Sequence, residues 1–312
     1  MIKERKIKTL KPPRLRRGDT IGIVAPASHF DLEKYNRGIA VLESMGFNTS
    51  VPERLFNKKA YFAGSDLERA EMVNRYFADP TIKAIICARG GYGSIRTLSL
   101  LDYKIIRENP KIFVGFSDIS ALLAALYLKC RLVTFHGPTV TTLGNSDHRT
   151  KDSLLSMITS GEKLKIAMEG GISIRTGSAS GPVLGGNLRT LCHLLGTPFQ
   201  PDFQECILFL EDRGEAPYRI DRMLSQMKLA GCFNGLAGLV LGTFEDCGKD
   251  DIIRIAGDIF KDVQIPILAG LEVGHGKRNL VIPTGLRATL NADLKVLTFR
   301  EPATIVKQVA GS

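Results

Sequence analysis

Ser117 stands where the apolar run Phe113-Val114-Gly115-Phe116 gives way to Asp118-Ile119-Ser120-Ala121-Leu122-Leu123. A strand turning sharply into a helix here would hold the hydroxyl exposed at a sheet end, with the helix's first N–H groups aimed at the same spot. Ser117 is therefore a candidate nucleophile. Its other reading is a helix cap, because Ser and Asp are favoured there. A serine nucleophile needs a base to take its proton and a carboxylate to orient that base. Among the five histidines, His29 lies between Ser28 and Phe30, His136 precedes Gly137-Pro138, His148 sits in a polar stretch and His193 on a helix-like one. His275 lies between Gly274 and Gly276, so its ring can approach another domain closely; it is either the base or an ordinary loop histidine. Glu211 closes Ile207-Leu208-Phe209-Leu210 and is either a solvated strand terminus or a placed carboxylate. Ser117, Glu211 and His275 follow the Ser, acid, His order of α/β-hydrolases, each at a strand-end turn. Order alone decides little, since convergent triads use every order.

Gly90-Gly91-Tyr92-Gly93 follows the apolar Ala84-Ile85-Ile86-Cys87-Ala88. Such glycines can cradle a phosphate, permit a tight turn, or present N–H groups to an oxyanion. The run is neither G-x-G-x-x-G nor a P-loop, which demotes a nucleotide. A nucleophile on a neighbouring strand would favour the oxyanion.

The elements that must position these residues alternate. Strand patterns at 20–26, 47–52, 84–88 and 112–116 are separated by helix patterns at 32–45, 67–77, 95–101 and after Ser117. That alternation predicts a doubly wound, mostly parallel sheet, which binds ligands beyond the carboxyl ends of its strands. From 168 to 181 the pattern becomes Gly, Ser and Thr without helical period, which marks a boundary. Beyond it come a helix through 195, a strand at 206–211, a helix at 218–229, a strand at 236–241, a helix at 252–260 and short β segments to 308. The expected fold is α/β, with an N-terminal domain over 1–166 and a mixed α+β C-terminal domain over 167–312. At 312 residues the chain exceeds the usual reach of one core, consistent with two domains.

Composition narrows the function classes. Hydrophobic residues make up 44% and charged residues 24%, as in ordinary globular chains. The basic residues 1–8 are followed by no apolar signal region, and no window approaches a membrane span, so a cytoplasmic protein without membrane partner is expected. Cys87, Cys130, Cys192, Cys206, Cys232 and Cys247 form no metal-spaced cluster and read as reduced core thiols. The net charge of +10 invites nucleic acid. Part of it, however, is a solvated basic arm over 3–17, and no stacking ladder or recognition helix accompanies it, so no nucleic-acid partner is expected.

Together these motifs make the chain resemble the LD-carboxypeptidases, serine peptidases that include muramoyltetrapeptide carboxypeptidases and microcin-C self-immunity peptidases. The resemblance spans nearly the whole chain. It is carried by Ile23-Val24-Ala25-Pro26-Ala27-Ser28, Ala88-Arg89-Gly90-Gly91-Tyr92-Gly93, Gly115-Phe116-Ser117-Asp118, Thr134-Phe135-His136-Gly137-Pro138 and Leu184-Gly185-Gly186-Asn187-Leu188. Leu210-Glu211-Asp212, Tyr218-Arg219-Ile220-Asp221-Arg222 and Gly274-His275-Gly276 continue it. It implies a triad split between domains, with Ser117 as nucleophile, His275 as base and then acid, and Glu211 fixing its tautomer. The N–H groups of Gly91 and Asp118 would form the oxyanion hole. Arg89 and Tyr92 would contact substrate, Arg89 by pairing with a carboxylate unless it is held in a structural ion pair.

The resemblance further implies no metal or other cofactor, a homodimer, and release of D-alanine from murein tetrapeptides during cytoplasmic peptidoglycan recycling. The short passage from Glu211 to Tyr218 looks like the murein branch. Immunity-type members carry a longer loop with an aromatic platform for an adenylate, whereas this chain has no tryptophan. The alternatives are that immunity-type activity on aminoacyl or peptidyl nucleotide amides, or a non-catalytic anion-binding module built on the Gly91 loop. Phe116 replaces the commoner tyrosine of the nucleophile motif without touching the chemistry.

Overall fold

A computed structural model describes residues 9–306. Its first half runs β1 (Thr20–Val24), α1 (Leu32–Ser44), β2 (Asn48–Ser50), α2 (Asp66–Ala78), β3 (Ile82–Cys87), α3 (Tyr103–Glu108), β4 (Ile112–Gly115), α4 (Ser120–Cys130), β5 (Thr134–His136), α5 (Val140–Leu143) and α6 (His148–Thr159). The helix starts follow from local chemistry. The Asp31 carboxylate accepts the Lys34 N–H at the start of α1, and Ser65 with Glu68 makes a reciprocal capping box at α2. The expected helix at 95–101 forms as a 3₁₀ helix, Ser94–Leu100.

The second half runs β6 (Lys165–Ala167), β7 (Ile172–Arg175), β8 (Ser178–Asn187), α7 (Leu188–Cys192), β9 (Ile207–Arg213), α8 (Pro217–Leu229), β10 (Gly238–Glu245), α9 (Lys249–Ile259), β11 (Ile267–Ala269), β12 (Ile282–Thr284), β13 (Arg287–Asn291) and β14 (Val296–Phe299). The fold is α/β with two sheets in a two-domain arrangement. The first sheet has the order β12-β5-β4-β3-β1-β2, with β1 to β5 parallel. β1 feeds one neighbour on each side, so a crevice opens beyond its carboxyl end. There Ser28, just after β1, donates its N–H to the Gly90 carbonyl just after β3 at 3.3 Å. The second sheet is mixed, in the order β6-β14-β13-β8-β9-β10-β11-β7, and its central β8 to β11 are parallel.

Three features differ from expectation. Ile282–Thr284 leaves the second half and pairs antiparallel with β5, with the Thr284 and Thr134 hydroxyls 2.6 Å apart. That strand covers an edge that would otherwise stay unpaired. The stretch 168–181, expected to lack regular structure, holds β7 and the first residues of β8, a ten-residue strand in the middle of the second sheet. Lastly, residues 3–8 of the basic arm lie outside the described residues, while the part from 9 to 15 packs against the fold and only Arg16 and Arg17 of the rest are exposed. Leu15 is buried, and Leu10 and Leu15 donate their N–H groups to the Arg131 and Ile158 carbonyls at 2.8 Å. The apolar side chains in this segment outweigh its charge. All six cysteines are free and buried.

Candidate active site

The turn after β4 places Ser117. Its backbone lies in the left-handed region, at φ +64°, and opens a 3₁₀ turn, Ser117–Ile119, that runs into α4. A non-glycine residue there is strained by about 1–3 kcal/mol and persists only where its surroundings enforce it. Enforcement comes from Ser94, whose N–H donates to the Asp118 carboxylate at 2.8 Å and whose hydroxyl donates to the Asp118 carbonyl at 2.6 Å. The Ser117 hydroxyl caps neither the turn nor α4. It meets His275 instead.

His275 reaches across from the loop after β11. Its Nε2 lies 3.0 Å from Ser117 Oγ and its Nδ1 lies 2.7 Å from Glu211 Oε2. Glu211 lies within β9, two residues before its end rather than at the expected strand terminus, opposite Asn187 of β8, and is fully buried. Gly274 is what permits this approach. Its φ is +112°, and a Cβ there would fall 2.4 Å from Glu211 Oε2. Burial opposes ionisation of Glu211, but the neighbouring His136 and the hydrogen bond with His275 outweigh it and hold the carboxyl down to about 2. His136 Nε2 lies 3.8 Å from Glu211 Oε1, longer than a formed hydrogen bond. The acid is thereby kept ionised beside the imidazole.

The Gly91 loop faces Ser117. Gly91 has φ +97°, and a Cβ on it would lie 2.6 Å from Ser28 Oγ. Ser28 Oγ accepts the Tyr92 N–H at 3.0 Å and so fixes the loop. Among the described residues, the N–H groups of Gly91 and Asp118 donate to no protein acceptor. Both are free to meet a developing oxyanion.

A cavity of about 550 Å³ opens on Ser117, His275 and Gly91, and in its wall the cations Lys34, Arg89, Arg189 and Arg213 outnumber the acids Asp31 and Asp212. Arg89 donates to the His29 carbonyl at 2.8 Å rather than entering an ion pair among the described residues. Arg189 and Arg213 are partnered by Glu215 and Glu245, each at 2.7 Å. Tyr92 stands apart from the other expected residues. Its ring packs against Tyr61 and Phe62 and does not line this cavity. Asn187, Arg189 and Arg213 had no chemical signature of their own in the sequence. Asp212 is buried and accepts from the Asn187 amide and from the Arg189 and Arg213 N–H groups at 2.7 to 2.9 Å. It organises the cavity wall beside Glu211.

The chain matches the description LD-carboxypeptidase N-terminal domain over residues 21–137 and LD-carboxypeptidase C-terminal domain over residues 180–290. It is 36% identical over 295 residues to a probable murein peptide carboxypeptidase of Bacillus subtilis, covering 90% of this chain and 91% of that protein. Among solved structures, MccF in complex with glutamyl sulfamoyl guanosine has a TM-score of 0.88 at 27% identity, covering 95% of this chain and 100% of that one. The muramoyltetrapeptide carboxypeptidase of Oxalobacter formigenes has a TM-score of 0.79 at 31% identity, covering 90% and 97%.

Proposed function

The chain belongs to the LD-carboxypeptidase family and is a serine carboxypeptidase, and on that premise we propose that it releases the terminal D-alanine of murein tetrapeptides, L-Ala-D-Glu-diamino acid-D-Ala. Ser117 Oγ attacks the carbonyl of the diamino acid while His275 Nε2 takes the hydroxyl proton. The tetrahedral oxyanion is held by the Gly91 and Asp118 N–H groups, one such donor being worth ~3 kcal/mol in the transition state. Collapse breaks the amide bond, and His275 gives its proton to the departing D-alanine nitrogen. Water, deprotonated by His275, then hydrolyses the acyl-serine and frees the tripeptide. Glu211 holds Nδ1–H throughout, so the tautomer with Nε2 open to Ser117 is favoured and the imidazolium is stabilised as it forms.

The observation that carries this reading is the unbroken chain from Ser117 to His275 to Glu211 at 3.0 and 2.7 Å. The excess of cations in the cavity wall suits a peptide rich in carboxylates, and Arg89, which lines it, is the side chain we assign to pair with one. The test is mass-spectrometric detection of free D-alanine from L-Ala-D-Glu-meso-diaminopimelate-D-Ala with wild type and Ser117→Ala. Release by wild type alone is expected. If neither folded protein releases it, the substrate assignment fails, and an aminoacyl sulfamoyl adenosine becomes the substrate to try, given the structural likeness to MccF.

A further inference from the structure

His136 is completely buried at the end of β5, and neither of its ring nitrogens has a hydrogen-bond partner among the described residues. Glu211 Oε1 is in the same position, buried and unpartnered. These are the kinds of groups that proteins rarely leave unmatched. They face each other, His136 Nε2 to Glu211 Oε1, at 3.8 Å. The imidazole is confined by aromatic edges: Phe209 at 5.1 Å and 83°, and Phe116 at 5.9 Å and 73°. Phe116 also contacts the His275 ring, at 4.9 Å. Two histidines thus address the two oxygens of one carboxylate, and the mechanism above uses only one of them.

We propose that His136 is a positioning residue for this reaction: in its Nε2–H tautomer it donates to Glu211 Oε1 and holds the carboxylate with Oε2 aimed at His275. The inference rests on the reading of Ser117, His275 and Glu211 as the triad. A carboxylate fixed at one oxygen can rotate away from the imidazole. Anchoring the second oxygen removes that freedom and lowers the carboxylate's basicity, so the proton taken from Ser117 stays on His275. A small closing movement of the 3.8 Å separation forms the bond. The other charged group near this cluster is Asp212, adjacent to Glu211 on β9. β4 and β12 pair with His136 through Gly115 and Ile282, and a Cβ on Gly186 of β8 would lie 3.6 Å from its ring, so these neighbours bring no charge toward it.

His136→Leu and His136→Gln distinguish positioning from mere space-filling. Leu removes the donor, whereas the Gln amide can supply one. His136→Leu should lower kcat about tenfold to a hundredfold with KM little changed. It should also move the acid limb of the kcat/KM profile to higher pH, because a carboxylate without its donor makes the Glu211–His275 pair bind a proton more tightly. His136→Gln should restore much of both. A folded His136→Leu enzyme with wild-type kcat and an unmoved limb would overturn the proposal. If Leu prevents folding, ¹⁵N–¹H spectra of the imidazoles in wild type decide instead. A His136 Nε2–H resonance that shifts in Glu211→Gln supports the bond, and a bare Nε2 overturns it. Failure of the triad reading is separable: Ser117→Ala would then retain turnover, whatever His136 does.

Discussion

The proposed nucleophile and its proposed acid–base partners are positioned by different physics. Ser117 is held by its immediate neighbourhood: a strained backbone at φ +64°, a 3₁₀ turn, and two hydrogen bonds from Ser94 to Asp118. Glu211 and His275 lie 64 residues apart, and what brings them together is burial, strand register and a glycine that lets the loop close on the carboxylate. One region stores backbone strain, and the other stores electrostatic free energy in a dry site. Damage to the first should lower the rate without moving its pH dependence. Damage to the second should do both.

The largest effect that breaks the comparison is on the electrostatic side. Glu211→Gln keeps the shape but loses the charge that selects the tautomer, and kcat should fall by about 10⁴. The same substitution has a stability signature. The Glu211 carboxyl titrates at about 2 in the fold against 4.5 as a free group. Its folded value is depressed, so its stabilisation is fully present above pH 4.5 and is lost as pH falls toward 2. The difference in melting temperature between wild type and Glu211→Gln should therefore shrink from neutral pH to about pH 3. A gap independent of pH would mean that the buried charge contributes no such term.

Gly274→Ala comes next, because it disturbs distance rather than charge. The added Cβ would lie 2.4 Å from Glu211 Oε2, at a φ that L residues rarely adopt. The loop must retreat, and a displacement near 1 Å at a reacting group costs about 100-fold in rate. Kinetics and a thermal melt together check this: kcat and melting temperature should both drop, and a variant with wild-type kcat would show that His275 does not depend on the close approach.

The same contrast explains which parts were legible in the sequence. The strand-to-helix turn at Gly115-Phe116-Ser117-Asp118 is local, and the alternation from β1 to α4 reads directly from hydrophobic runs and caps. Glu211 and His275 stood out only as a charge and a glycine-flanked ring at strand ends. β8 starts in the stretch 168–181, whose Ser and Gly residues lack strand propensity. Its glycines are required by packing: a Cβ on Gly181 or Gly185 would lie 2.1 or 1.8 Å from the Glu205 or Phe209 carbonyl oxygen. β12 crosses to the first sheet through long-range pairing that no local pattern encodes. His136 carries no signature of its own, because a three-residue strand, Thr134–His136, has too few positions to show which face is buried.

The smallest effect belongs to the contact that ties the two regions together. Ser120, one turn beyond Ser117, is buried and accepts the Asn187 N–H at 3.0 Å. Asn187 in turn donates its amide to Asp212, next to Glu211, at 2.9 Å. Ser120→Ala leaves a buried N–H unpaired, which should destabilise the fold by about 1–3 kcal/mol. The Asn187 to Asp212 bond and the β8–β9 ladder remain, so the acid and base keep their register, and kcat should fall less than about tenfold at full folding. Chemical denaturation and steady-state kinetics on the same preparation give both numbers. A loss in kcat approaching that of Glu211→Gln would show instead that nucleophile and acid are one mechanical unit, and that the division between a strained region and an electrostatic region does not hold at this junction.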